Sequence, residues 1–104
     1  MKVKILPHVD IELYQSAEWY ELERAGIGVE FLREVRVTVN ALSVLPLRFP
    51  VVHRDARRAQ VGRFPFGVFF VIRHGRIYVF SIIHLQRNSR QWKKHWPPTN
   101  KNLS

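Results

Sequence analysis

The sequence predicts an α+β fold: a short N-terminal strand, then an antiparallel helix hairpin packed on a twisted antiparallel sheet. Two observations lead there. Apolar residues recur at helical spacing between about residues 10 and 45, and from residue 57 onward they crowd into short runs rich in Val, Ile, Phe and Tyr. A length of 104 residues gives room for one domain and one modest core. We place that domain at residues 1–96 and a flexible tail at 97–104. A hydrophobic share of 46% is enough to fill the core and argues against a disordered chain.

In chain order, Lys2 to Leu6 alternates polar and apolar residues and reads as a strand that Pro7 stops. Asp10 is the expected N-cap of a first helix, on which Leu13, Ala17, Tyr20 and Arg24 share a face and which Gly26 ends. Phe31, Leu32, Val35, Val39 and Leu42 form the stripe of a second helix that ends before Pro46. So short a link makes the two helices an antiparallel hairpin. Pro46 to Asp55 holds two prolines and no periodicity, which predicts a loop.

Strands are expected over Arg57–Phe64, Gly67–Arg73 and Arg76–His84, with His74-Gly75 as a tight turn between the last two. Alternation on the last strand would put Ile77, Val79, Ser81 and Ile83 on one face and Tyr78, Phe80, Ile82 and His84 on the other. Both faces are largely apolar, so this strand should be central. A short turn or helix is expected over Arg90–His95, before the tail.

Seventeen Lys and Arg against eight Asp and Glu leave a net charge of +9, which points to a polyanionic or acidic partner. The charge is divided along the chain. Residues 10–45 carry seven acids and three bases, net −4, whereas residues 46–104 carry twelve bases and the single acid Asp55, net +11. There is no cysteine, which excludes disulfides and thiolate metal sites. No pair among the five histidines has metal-site spacing, so no metal is expected. No apolar run approaches the roughly 20 residues of a membrane helix, so the expectation is a cytoplasmic protein without membrane contact.

Three groups of residues carry more information than the order of elements. The first is Ser16-Ala17-Glu18-Trp19-Tyr20-Glu21-Leu22-Glu23-Arg24, with Gly26-Ile27-Gly28 and Phe31-Leu32; the second is Arg57-Arg58 with Val61 and Arg63-Phe64-Pro65-Phe66; the third is His84, Arg87 and Trp92. In this order and register they resemble the RelE/ParE superfamily of bacterial type II toxins, the first block being most similar to the ParE branch. The resemblance runs from about residue 3 to residue 93. Two departures are Asn88-Ser89, where the family continues into Asp-Pro, and Phe66, where it prefers Tyr.

The resemblance implies a growth-inhibiting toxin, a cognate antitoxin that covers its active surface, and one of two targets: mRNA on the ribosome, cut by the toxin, or DNA gyrase, inhibited by it. No small-molecule cofactor is expected. RNA cleavage requires a proton-transfer group and stabilisation of the charge growing on phosphate. The catalytic candidates are therefore His84, Arg58, Arg63 and Arg87, with His84 serving equally well as a strand-end residue satisfied by a backbone hydrogen bond. Arg58 and Arg63 differ by five positions and would face opposite ways on a regular strand unless Gly62 marks a bulge.

Candidate nucleic-acid contacts are Arg57, Arg58, Arg63, Arg87, Arg90, Trp92, Lys93 and Lys94, the last four forming a basic patch around an aromatic ring. The arginines serve equally well as a structural or antitoxin-binding cluster, and Trp92 equally well as an anchor for the tail. Gyrase inhibition needs a binding surface and no catalytic group. A basic nucleic-acid-binding module without toxicity would explain the charge, but not the first motif.

Overall fold

A computed structural model describes residues 1–87 and 90–98. It is an α+β arrangement of two helices and a five-stranded mixed sheet, in the order β1 (Val3–Ile5), α1 (Pro7–Glu23), α2 (Ile27–Val44), β2 (Val51–His53), β3 (Ala56–Gln60), β4 (Phe66–Arg73) and β5 (Arg76–His84). Single 3₁₀ turns occupy Pro46–Arg48 and Gln91–His95. The strands lie side by side as β1-β5-β4-β3-β2. β2 to β5 pair antiparallel in sequence, but β1 runs parallel to β5, with Val3 opposite Ile77 and Ile5 opposite Val79. The sheet is therefore mixed, not antiparallel throughout. A three-residue strand carries no directional signal, and its partner lies more than seventy positions away, with the whole intervening chain serving as the crossover.

Pro7 starts α1; it does not merely stop β1. Its fixed φ and missing N–H suit the first helical position, and Leu6 is the residue before the helix. Asp10 consequently falls within the first turn, where its charge meets the positive end of the helix dipole, and is not the cap. Gly26, at φ +92°, turns the chain between the helices. Glu21 then accepts the N–H groups of Gly26 (2.8 Å) and Gly28 (3.0 Å), satisfying donors at the start of α2 that would otherwise be unpaired. Gly28 lets the helices approach closely, since a Cβ there would overlap the carbonyl oxygen of Ala17.

β2, within the expected loop, is an edge strand of three residues joined to β3 by Arg54 at φ +56°. β3 ends at Gln60, four residues short of the expected Phe64, because Gly62 at φ +49° and Pro65 turn the chain into β4. His74 and Gly75 both have positive φ, the conformation a tight hairpin of type I′ needs.

β5 is paired on both sides and buried from Ile77 to His84. Its alternation is interrupted. Phe69 lies opposite Ser81 and Phe70 opposite Val79, so Phe80 is an extra residue, a bulge. Val79 and Ser81 therefore point to opposite faces, and the simple two-face assignment fails beyond Val79. Packing on the hairpin side is aromatic: Tyr20, Phe31, Phe64 and Phe66 meet with ring centres 4.8–6.0 Å apart. Trp92 is buried at 6% exposure and stacks on Phe69 at 4.9 Å, with Phe80 beside it. Of the expected tail, Pro97 and Pro98 are described, Pro98 being buried; residues 99–104 lie outside the described residues, as do Asn88 and Ser89.

Candidate functional site

α1 crosses one end of β5 and leaves a cleft of about 390 Å³. Glu12, Gln15, Ser16, Trp19 and Tyr20 line it from the helix, which their spacing of three and four positions allows. Phe66, Ile82, Ile83 and His84 line it from the sheet, and Arg87 and Gln91 from the segment after β5. Two of the four catalytic candidates, His84 and Arg87, are thus in one site. The polar edge of α1 was not anticipated, although Glu12, Gln15, Ser16 and Trp19 at helical spacing are a signal once the helix is known to cross His84.

His84 is 8% exposed and packs edge-on against Phe66, its cross-strand neighbour, at 5.4 Å. Its Nδ1 accepts two backbone N–H groups, from Gln86 (3.1 Å) and Arg87 (3.0 Å). A nitrogen that accepts twice carries no proton, so this hydrogen-bond network assigns the ring's hydrogen to Nε2. Burial, and secondarily the Arg87 charge, hold the imidazole below its usual range. Both effects favour the neutral ring.

This arrangement restricts the chemistry. To act as a base through Nε2, the ring would have to move its proton to Nδ1, where two N–H groups already point. To act as an acid it would have to carry both protons, against the same two groups and the Arg87 charge. His84 is configured as a fixed hydrogen-bond donor and as the cap of the turn after β5.

The Arg87 guanidinium lies 4.7 Å from the centre of the Trp19 ring, a cation–π contact. Burial raises the Tyr20 pKa, with Arg87 pulling it the other way. The cleft therefore presents neutral donors, one guanidinium on an aromatic ring, and the Glu12 carboxylate.

The other candidate residues lie elsewhere. Arg63 sits in the turn between β3 and β4, outside any strand, and its guanidinium is paired with Glu30 of α2. Arg58 lies opposite Phe69, and its side chain covers Gly67, on the face of the sheet away from Phe66 and His84. Neither lines the cleft. Arg57 donates to the carbonyl oxygens of Phe49 (2.6 Å) and Leu47 (3.4 Å), holding the segment after α2.

The ring of Trp92 is occupied by Phe69 and cannot take a base without leaving the core. The Lys93 ammonium lies 5.6 Å from the centre of the same ring, and Arg90, Lys93 and Lys94 are exposed. Among the described residues no three metal-binding side chains cluster, and no helix is long and apolar enough to cross a membrane. In comparisons with known proteins, no family model matches the chain and no curated protein matches it.

Proposed function

We propose that the chain is the toxin of a bacterial type II toxin–antitoxin pair of RelE/ParE type, and that it stops growth by binding its target, DNA gyrase being the favoured one, instead of cutting RNA. The family half of this reading rests on the three motifs in register, and a strand, helix hairpin and β meander in that order is compatible with it. The preference for binding over cleavage is carried by the proton position on His84, whose Nδ1 is committed to two backbone N–H groups. It is supported by the dispersal of the arginines, since Arg57 and Arg63 are paired away from the cleft and Arg58 lies on the other face of the sheet.

mRNA cleavage is the second reading, favoured by the presence of His84 and Arg87 in one cleft. His84→Asn separates the two. The amide oxygen can still accept from the turn, but no proton transfer is available. Binding predicts that growth inhibition persists at equal protein level, weakened at most by the loss of one donor. A ribonuclease should lose on the order of 10²- to 10⁴-fold in activity, the usual worth of a general acid or base, and with it the toxicity. Loss of toxicity in a folded His84→Asn chain would overturn the binding reading.

A further inference from the structure

We propose that His8 and His95 form a proton-operated latch that holds the 3₁₀ turn Gln91–His95 on the body of the protein and thereby controls access to the cleft. The two rings, 87 positions apart in sequence, are stacked with centres 4.0 Å apart and planes 24° from parallel. His8, in the first turn of α1, contacts the carbonyl oxygen of Phe80 through Nε2 at 2.8 Å, donating the hydrogen that a carbonyl requires. Phe80 is the bulged residue of β5, so the latch is tied to an irregularity of the sheet. His95 closes the turn whose first residue, Gln91, lines the cleft. Release of His95 would therefore loosen one wall of the cleft as well as the Trp92 anchor.

Neutral rings stack favourably, whereas two imidazolium rings at this separation repel. Among the described residues, one carboxylate is placed to compensate charge on the pair. From α1, the Glu12 carboxylate lies 3.8 Å from His95 Nε2; from the turn, Lys94 adds a like charge. From β5, the Phe80 carbonyl faces His8. From β2, His53 makes T-shaped ring contacts with Trp92 and Trp96 at 5.6 and 5.7 Å. A proton taken up by His95 is therefore only partly compensated, and it loosens the latch.

The sign of the pH dependence follows from linkage. Burial first, then His8 and Lys94, with Glu12 opposing, keep the His95 pKa below its usual value of about 6.5. The docked turn therefore binds fewer protons than the released one. Docking is complete above about pH 6.5 and weakens as pH falls through the window beneath it.

The test uses the full chain carrying Trp19→Phe, so that emission reports on Trp92 and Trp96. Acrylamide quenching is followed from pH 7.5 to 5.0 with far-UV circular dichroism of the same samples. The latch predicts that quenching rises about twofold or more below pH 6.5 while the sheet signal stays constant, as expected for a local opening. His53→Gln should keep this response, and His8→Gln and His95→Gln should abolish it. Flat quenching, a response that survives in both latch variants, or loss of the sheet signal together with the turn would each overturn the proposal.

Should a latch variant fail to fold, the ring nitrogens of the unmutated chain decide by NMR. Coupled titration of His8 and His95 in two steps supports the latch. Independent titration of the two rings overturns it.

Discussion

At the scale of single residues, the site is defined by where hydrogens sit more than by which residue types are present. A histidine and an arginine three positions apart suggest proton transfer and phosphate binding. The two N–H groups directed at His84 Nδ1 assign the ring a different task, that of a donor and a cap. Elsewhere on β5, the Ser81 hydroxyl is fully buried and has no hydrogen-bond partner among the described residues. An unpaired buried hydroxyl costs roughly 1–3 kcal/mol. Ser81→Ala should therefore be neutral or stabilise the fold by up to about 1 kcal/mol, measured by urea denaturation. A loss of more than about 1 kcal/mol would contradict an unpaired hydroxyl.

At the scale of elements, the two helices are in tight contact at Gly28. Alanine there gains helix propensity of about 1 kcal/mol, but its methyl group meets the Ala17 carbonyl and the Glu21 side chain, so the helices must part. We expect Gly28→Ala to destabilise by about 1–2 kcal/mol net, within the usual range for overpacking, seen as a lower denaturation midpoint at constant slope. An unchanged midpoint would show that the hairpin yields at no cost.

Both helices, β5 and the turn at His74-Gly75 were legible in the sequence because long periodic stripes and a glycine turn are local signals. β2 and the direction of β1 were not, since three residues are too few to show a period and pairing is set by distant chain. The bulge at Phe80 was hidden for another reason: both faces of β5 are apolar, so a slip of one position leaves the pattern looking the same. That slip is what spoils the assignment of faces. Of the site, His84 and Arg87 were legible as residue types, while the α1 wall and the His8–His95 contact depend on tertiary placement alone. Arg63 falls outside β3 because the strand stops before Gly62, earlier than the run of residues suggests.

At the scale of the whole molecule, the charge division survives folding in a useful form. The acidic residues gather on the helix hairpin, and the basic excess of residues 46–104 falls on the sheet strands, their loops and the segment after β5. Some of that excess is neutralised internally, with Arg63 on Glu30 and Arg73 on Asp55. The exposed remainder, including Arg58, Arg87, Arg90, Lys93 and Lys94, is the part that a partner would meet. An acidic antitoxin suits it, and so does a large anionic target.

The most direct test of a toxin that acts by binding is induced expression in a bacterial host, with DNA replication, protein synthesis and mRNA integrity at ribosomes followed in one culture. Inhibition by binding to gyrase predicts that growth stops with replication arrest and filamentation while translated messages remain intact. Rapid translational arrest with new cuts in those messages, or undisturbed growth at full expression, would contradict it.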